Sequence, residues 1–395
     1  MNHLQGKQIL LGVTGSIAVY RSLDLIRLLQ AKGAEVKVIM TKGAQAFITP
    51  LTFSAISRNK VYTDIFQTYP EYPIVHLDLA KWADALVIAP ASADILAKLA
   101  QGIADDLLTS TFLGCSKPVL IAPSMNPQMY AHPAVQANIA RLKSYGFHIL
   151  ASTQGKTACG DVGQGRLPPV ENMVEAIEFL FSKKDLTAYK VLITAGPTQE
   201  AIDPIRFLTN HSSGRMGFAL AKTAYQRGAE VTLISGPTSL KPPYGVNFLS
   251  VTTTQDMLEA VLRHFPFVDV VVMAAAVMDF KPLYHPHKIK KREKLSLSLE
   301  KTPDILAILG KEKKHQYLIG FAAETKDLLA EAMKKLKAKN LDMVVANEIS
   351  QSNTGFKATT NKVSVIYKNG AYEQWPLMSK EDVAWRLWDR IKTFL

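Results

Sequence analysis

The tetrapeptide GAEV occurs twice, at 33–36 and 228–231, and each copy joins a predicted helix to a predicted strand. A buried strand pattern and a glycine-containing turn precede each helix, at 8–13 in the first half and 190–194 in the second. Strand–helix–strand units of this kind pair their strands in parallel. The repeat therefore predicts an α/β fold with two doubly wound, Rossmann-like domains whose sheets are mainly parallel.

Further apolar runs extend both units. They have the length of buried strands, alternate with helical patterns, and lie at 85–90, 118–123, 268–276, 317–323, 342–347 and 362–370. The polar segment 182–190 separates the last helix of the first unit from the first strand of the second. We therefore expect two domains, 1–187 and 188–395.

The second unit carries a long insertion after its first strand. About a dozen more residues separate strand and helix here than in the first unit, and they belong to the polar segment 197–214. This segment falls at the carboxyl end of the strand, where doubly wound sheets bind ligands. We expect it to be functional, and it contains Arg206 and Asn210.

Charge and apolar runs limit the class of protein. The formal net charge is +12, with local basic clusters at 287–294 and 311–315. Anionic substrates explain this charge as well as nucleic acid does, and a solvated surface explains the second cluster. The longest apolar run, 271–278, has the length of a strand, and the first residues show no signal-peptide pattern. With two cysteines far apart, we expect a reduced, cytoplasmic enzyme with no membrane or nucleic-acid partner.

The turn after the first strand favours a mononucleotide over a dinucleotide. Gly15 and Ser16 lie between strand and helix, where backbone N–H groups can bind a phosphate. A dinucleotide site also needs an acid at the end of the second strand, where Thr41 stands in the first unit and Ser235 in the second. Neither unit is built for NAD; FMN would fit the first, and so would a plain glycine turn without a ligand.

Polar residues follow two further strands of the first unit. Ser92 and Ala93 come after one strand and Asn126 after the next, so both turns should meet at one edge of the sheet. Asn126 could also be a helix cap, and a lone histidine such as His76 is more often structural than catalytic. Cys159 lies among glycines, close to water, which is an unusual place for a structural thiol.

These residues resemble a known family. The first half resembles the homo-oligomeric flavin-containing cysteine decarboxylases through GSIAVYRS (15–22), His76, PASA (90–93), PSMNPQM (123–129) and ACGDVGQGR (158–166). The second half adds AGPTQEAIDPIRFLTNHSSGRMG (195–217), AAAVMDF (274–280), KIKK (288–291), GFAAET (320–325) and the stretch 335–347. Nearly the whole chain is thus similar to the bacterial bifunctional phosphopantothenoylcysteine decarboxylase/phosphopantothenate–cysteine ligases of coenzyme A biosynthesis.

For the first half, the resemblance implies an FMN-dependent decarboxylation of 4'-phosphopantothenoylcysteine to 4'-phosphopantetheine. Cys159 would be a general acid on a lid with glycine hinges. His76 would lie in the region of the catalytic base, and the Asn126 amide would bind the substrate carboxylate. The residues implied to hold FMN are Gly15, Ser16, Thr41, Ser92 and Ala93.

For the second half, the resemblance implies that CTP activates 4'-phosphopantothenate as an acyl-cytidylate, which the cysteine amine then attacks. Lys288 would be the essential lysine, and Asp279 would bind CTP with Mg²⁺. Arg206 and Asn210 would serve phosphopantothenate and the acyl-cytidylate across a dimer interface. The residues implied to bind CTP are Ala275, Asp279, Lys288, Pro303, Asp304, Phe321, Lys335 and Lys339, the last two of which would otherwise be a solvated helix face. Trimers of the first half and dimers of the second would assemble into a dodecamer.

The chain departs from the family pattern at four positions, Asp94, Ser124, Arg215 and Thr359. Asp94 replaces an asparagine near the expected flavin site, and Arg215 keeps the charge of a usual lysine without its geometry. Three other classes remain open: a flavin-binding regulatory protein, a basic nucleic-acid-binding protein, and a ligase with a degenerate flavin half.

Overall fold

The structure is a computed structural model, and it describes residues 3–156, 160–290, 295–324, 328–348 and 360–395. It divides into two compact units, Asn2–Ser182 and Lys183–Leu395. The boundary expected from the sequence, after residue 187, lies five residues beyond the observed boundary between Ser182 and Lys183. Among the described residues, no helix is long and apolar enough to cross a membrane.

The N-terminal unit is a doubly wound α/β sheet. Its strands pair in parallel in the order β3-β2-β1-β4-β5-β6, and β7 and β8 form a separate antiparallel hairpin. The elements are β1 (Gln8–Val13), α1 (Arg21–Ala31), β2 (Glu35–Met40), α2 (Lys42–Gln45), α3 (Pro50–Ser57), β3 (Val61–Tyr62), α4 (Val75–Trp82), β4 (Ala85–Ala91), α5 (Ala93–Gln101), α6 (Leu107–Gly114), β5 (Val119–Pro123), α7 (Pro127–Ala131), α8 (Pro133–Ser144), β6 (His148–Ile149), β7 (Thr153–Lys156), β8 (Val162–Arg166) and α9 (Val170–Phe181).

The C-terminal unit repeats this arrangement and extends it. Its main sheet has the order β13-β12-β9-β14-β17-β18-β20-β21, in which β20 pairs antiparallel with both β18 and β21 and the other neighbours pair in parallel. The elements are β9 (Lys190–Ala195), β10 (Gln199–Ala201), β11 (Phe207–Thr209), α10 (Arg215–Gln226), β12 (Glu230–Ser235), β13 (Asn247–Ser250), α11 (Thr254–His264), β14 (Val270–Met273), β15 (Phe280–Pro282), β16 (Leu299–Lys301), α12 (Ile305–Glu312), β17 (Tyr317–Glu324), α13 (Leu328–Ala338), β18 (Met343–Glu348), β19 (Thr360–Asn361), β20 (Val363–Tyr367), β21 (Tyr372–Gln374), β22 (Met378–Ser379) and α14 (Lys380–Lys392).

The two copies of GAEV have the same conformational role. Gly33 (φ 79°) and Gly228 (φ 93°) both adopt the left-handed backbone region, which ends the preceding helix. The residues that follow enter β2 and β12, each of which pairs in parallel with the first strand of its unit. The parallel part of both sheets therefore has the same strand order, and the predicted doubly wound, Rossmann-like fold is confirmed.

Two predicted strands of the C-terminal unit differ in detail. The apolar run 268–276 predicts one strand, but β14 ends at Met273. The prediction was too long because alanines 274–276 are as apolar as strand residues, although their backbone leaves the sheet. The run 362–370 is a strand, β20, but it pairs antiparallel with β18, which the sequence pattern did not indicate.

A fully buried arginine joins the first and last segments of the C-terminal unit. Arg227 donates to both carboxylate oxygens of Asp185, at 2.6 and 2.8 Å, and to Asp389 at 2.8 Å. It also donates to the Trp385 carbonyl and lies over the Trp385 ring at 5.7 Å. The guanidinium thus satisfies acceptors from the segment before β9 and from α14.

Candidate active sites

The carboxyl ends of the parallel strands in the N-terminal unit, here called the carboxyl edge, are joined by hydroxyl groups. Thr14 donates to the Pro90 carbonyl at 2.8 Å and accepts from the Ser92 N–H at 2.9 Å. Ser16 donates to Ser124 at 3.2 Å. The turns after β1, β4 and β5 therefore meet at one edge, where Ser92 also caps α5 through the Ile95 N–H.

Gly15 and Thr41 lie at the same edge. A Cβ atom on Gly15 would come within 3.2 Å of the backbone of Gly43, so glycine allows the two turns to approach without a shift of the neighbouring backbone. Thr41 caps α2 by accepting from the Ala44 N–H at 3.3 Å. Hydroxyl and N–H groups of neutral residues dominate the edge, and this donor set fits the phosphate of a mononucleotide such as FMN.

The Asp94 departure does not add an acid to that set of donors. Its side chain is 73% exposed and forms an ion pair with Lys98 at 3.4 Å, one turn further along α5. Lys98 pairs at 2.9 Å with Asp105 as well, and this hydrogen bond raises the pKa of Lys98. The negative charge of Asp94 is therefore solvated and paired within its own helix.

The β7–β8 hairpin packs on the turn that carries Asn126. The Met125 N–H donates to the Gly165 carbonyl at 2.9 Å. Gly165 has φ 143°, and a Cβ there would lie 2.5 Å from the Met125 carbonyl oxygen; a Cβ on Gly163 would lie 2.7 Å from Pro127. Close packing at this position thus requires these two glycines. Cys159 lies outside the described residues.

Asn126 has two bonding roles. Its side-chain oxygen accepts from the Gln128 N–H at 2.8 Å, so the residue caps α7. Its amide nitrogen donates to the Asp161 carboxylate at 2.7 Å, across to the hairpin. Asp161 was not predicted as a site residue, because a single acid in a glycine-rich segment carries no local signal. His76 is half-buried in the first turn of α4, and no described contact joins it to the carboxyl edge.

The C-terminal unit contains a cavity of about 460 Å³, here called the C-terminal cavity. It collects residues from the insertion, the start of α10, the loop after β14, the turn before α12, and β17, α13 and α14. Of the predicted CTP and substrate residues, it is lined by Asn210, Ala275, Asp279, Pro303, Asp304, Phe321, Lys335 and Lys339.

Two predicted lysines, Lys335 in α13 and Lys339 just after its end, make contacts within the cavity. Lys339 forms an ion pair with Asp304 at 2.7 Å, and Lys335 donates to the Phe321 carbonyl at 2.7 Å. Although burial alone would raise the pKa of Asp304, hydrogen bonds from Lys339 and from the Ala307 N–H lower it. The two lysines are therefore not a purely solvated helix face.

The loop 274–279 is held by a buried hydroxyl network that the sequence did not predict. Glu200 is 5% exposed and accepts from the Thr254 hydroxyl at 2.7 Å and the Thr254 N–H at 2.8 Å. Thr254 lies 3.1 Å from the Thr198 hydroxyl, which accepts from the Met278 N–H at 3.0 Å. Asn210 supports the same loop by donating to the Ala276 carbonyl at 2.8 Å.

Lys288 and Arg206 are not among the residues that line the cavity. Lys288 is exposed on the loop after β15. That loop is tied to the β10–β11 turn, since the Ile289 N–H donates to Asp203 at 3.1 Å and Arg206 donates to the Ile289 carbonyl at 2.5 Å. Arg206 also pairs with Asp203 at 3.0 Å. Within one chain, the Arg206 side chain therefore contacts the loop that carries Lys288, and neither residue belongs to the lining of the C-terminal cavity.

Two doubly wound units, each with polar groups gathered at the carboxyl ends of its parallel strands, define a two-domain α/β protein of the nucleotide-binding class. Comparison with known proteins identifies both units as flavoprotein domains. A family model described as "Flavoprotein" matches residues 1–182. The model for the DNA/pantothenate metabolism flavoprotein C-terminal domain matches residues 186–395.

The chain is 48% identical over 394 residues to the coenzyme A biosynthesis bifunctional protein CoaBC of Bacillus subtilis (strain 168), covering 98% of this chain and 97% of that protein. It is 41% identical over 397 residues to CoaBC of Escherichia coli (strain K12), covering 99% and 98%. A crystal structure of the C-terminal domain of a CoaBC protein is 45% identical and covers 54% of this chain and 98% of that one, with a TM-score of 0.47. The chain belongs to the CoaBC family of bifunctional coenzyme A biosynthesis enzymes, which confirms the resemblance.

Proposed function

We propose that the C-terminal unit ligates cysteine to 4'-phosphopantothenate with CTP, and that the N-terminal unit decarboxylates the product with FMN. The observation that carries this proposal is the C-terminal cavity, because it gathers eight predicted CTP and substrate residues from separate elements. CoaBC relatives that match the whole length of the chain support it.

In the ligase step, cations in the cavity would bind the triphosphate of CTP. The carboxylate of phosphopantothenate would bond to the α-phosphorus as pyrophosphate leaves; the cysteine amine would then attack the acyl carbon as CMP leaves. Among the described residues, no three His, Cys, Asp or Glu side chains cluster to hold a metal ion. Asp279 would therefore hold Mg²⁺ jointly with the phosphates of CTP, which is how Mg²⁺ commonly binds.

A second copy of the chain would complete this site with Lys288 and Arg206. The surface beside them is apolar: Ile205 is 61% exposed, Phe207 50% and Tyr284 57%. Such a patch on a monomer marks an interaction surface. A two-fold dimer through this face would bring the basic group of one chain toward the cavity of the other. Trimers of the N-terminal unit, and hence a dodecamer, remain part of the proposal.

In the decarboxylase step, FMN would supply the two-electron chemistry when bound, held by Gly15, Ser16, Thr41, Ser92 and Ala93. The Asn126 amide would bind the substrate carboxylate, and its 2.7 Å hydrogen bond to Asp161 supports this role because the acceptor is also a carboxylate. Cys159 would donate the proton to carbon, and His76 would act as the base. A protein with two cysteines in 395 residues suits a reducing, cytoplasmic setting.

The test is one incubation of the full chain with 4'-phosphopantothenate, cysteine, CTP and Mg²⁺, analysed by mass spectrometry. We expect 4'-phosphopantetheine, CMP and CO₂. Asn126→Ala should stop at 4'-phosphopantothenoylcysteine, whereas Asn210→Ala should leave phosphopantothenate unused. The exposed Lys337, on the same helix as Lys335, provides the control: Lys337→Met should behave as wild type. Unchanged phosphopantothenate with the wild-type protein would refute the ligase assignment.

A further inference from the structure

The C-terminal cavity includes a lysine that comes from outside the parallel core. β19 and β22 form a two-stranded antiparallel sheet in which Asn361 pairs with Met378. Lys380 follows directly as the first residue of α14 and lines the cavity while only 6% exposed. Lysine is rarely buried this deeply unless a partner of opposite charge or polarity faces it.

The surroundings of Lys380 favour an anion. α14 packs beside α10, and both helices begin at this end of the cavity, with Arg215 at the start of α10. Two helix N-termini add partial positive charge to that of two basic side chains. Burial, and then the charge of Arg215, lower the pKa of Lys380 to about 8. An anion bound here would stabilise the charged form of the lysine.

Two asparagine side chains line this end of the cavity. Asn361 is 2% exposed and donates to the Asn347 side chain at 3.4 Å, and both residues line the cavity. Glu381, the neighbour of Lys380 in sequence, pairs with Lys222 at 3.3 Å. The acidic side chain nearest to Lys380 in sequence therefore pairs with another lysine. The amides of the two asparagines can donate to an anionic oxygen.

We propose that Lys380, together with Arg215, binds the β- and γ-phosphates of CTP and stabilises the pyrophosphate that leaves. This role rests on the proposed ligase function. In that step, a carboxylate oxygen bonds to the α-phosphorus, and the bond from the α-phosphorus to the bridging oxygen breaks. The electron pair leaves with pyrophosphate, whose added negative charge meets Lys380 and the two helix N-termini.

Titration calorimetry of the full-length protein with Mg²⁺ and three separate probes, CTP, pyrophosphate and CMP, tests this role. Lys380→Met should weaken the binding of CTP and pyrophosphate by roughly 10- to 100-fold, the range for a hydrogen bond to a charged group. CMP has neither the β- nor the γ-phosphate, so its affinity should not change. Lys380→Arg should retain most of the affinity for pyrophosphate. Lys241→Met, on an exposed loop, is the matched control and should bind all three probes as wild type does.

Each other outcome overturns a stated part of the reasoning. If Lys380→Met binds pyrophosphate with wild-type affinity, the proposed role of Lys380 is refuted and the ligase function is not. If the variant binds CMP and CTP more weakly by the same factor, Lys380 only maintains the shape of the cavity, and its role in binding the β- and γ-phosphates is also refuted. If Lys380→Met does not fold, Lys380→Gln and Lys380→Arg decide by the same comparison of pyrophosphate with CMP. Wild-type protein that binds neither CTP nor CMP would instead refute the ligase function.

Discussion

Replacing Arg227 by methionine should destabilise the C-terminal unit strongly. The change leaves the carboxylates of Asp185 and Asp389 without a guanidinium that lies 2.6–2.8 Å away and is fully buried. Removing one partner of a buried ion pair costs about 3–5 kcal/mol. We expect the free energy of unfolding to fall by about 2–3 kcal/mol at pH 7, below that range, because the side chains of Asp185 and Asp389 are 20% and 37% exposed and Lys183 and Lys392 still face Asp185.

The pKa of Asp185 gives a second measure of this magnitude. Burial would raise that pKa, but the Arg227 hydrogen bonds and charge lower it from 3.8 to about 2. This difference corresponds to about 2.5 kcal/mol. Because the pKa is lower in the folded state, the stabilisation is fully present above the unfolded pKa and is lost as the pH falls toward 2. About 1 kcal/mol of it should be gone at pH 3, so the gap between wild type and Arg227→Met should narrow by at most that amount, because Lys183 and Lys392 also lower this pKa.

Urea unfolding followed by tryptophan fluorescence measures the effect, since three of the four tryptophans, Trp375, Trp385 and Trp388, lie in the C-terminal unit. Lys190→Met removes an exposed ion pair with Glu230 (3.9 Å) and should cost less than about 1 kcal/mol. A loss below about 1 kcal/mol in Arg227→Met, with the same value at pH 7 and pH 3, would refute the reasoning.

Three further changes test other parts of the molecule. Gly165→Ala places a Cβ 2.5 Å from the Met125 carbonyl oxygen. Because this contact strains the hairpin, the rate of CO₂ release should fall at least about tenfold while the rate of pyrophosphate release is unchanged. An equal loss of both rates would contradict a local effect. Thr254→Val removes the hydroxyl contacts of Thr254 with Thr198 and Glu200. Urea unfolding should show a free energy of unfolding lower by about 1–3 kcal/mol, and initial rates should show a higher KM for CTP. Lys339→Met removes the ion pair with Asp304 inside the C-terminal cavity. It should raise the KM for CTP about tenfold and leave the decarboxylation of added 4'-phosphopantothenoylcysteine unchanged. An unchanged KM would exclude Lys339 from CTP binding.

The repeated GAEV segment predicted the fold because local signals determine it. A glycine that must adopt positive φ ends a helix, and the β-branched residues that follow favour a strand. The antiparallel pairing of β20 with β18 could not be predicted in this way, because strand direction depends on a connection that carries no apolar pattern of its own. Likewise, the sequence of residues 274–276 does not reveal that the backbone leaves the sheet to line the cavity.

The site was predictable where residues form long motifs and not where it depends on distant contacts. Asp304 and Lys339 were predicted by resemblance, and the structure adds their ion pair. Glu200 and Thr254 meet across 54 positions, and their hydrogen bond leaves no spacing in the sequence. Lys380 follows Ser379, which caps α14, so its sequence context indicates only the start of a helix.

The meeting of the first and last segments at Arg227 has a consequence for how the C-terminal unit can be connected. Lys183 pairs with Asp389 at 2.6 Å, and Lys392 donates to the Asp185 carbonyl at 2.8 Å. The points at which the chain enters and leaves this unit are therefore neighbours. A domain of this kind can be fused to another protein, inserted into one, or circularly permuted with a short linker, without opening its core. The link between the two units of this polypeptide therefore demands little more of the C-terminal unit than an attachment point at this shared position.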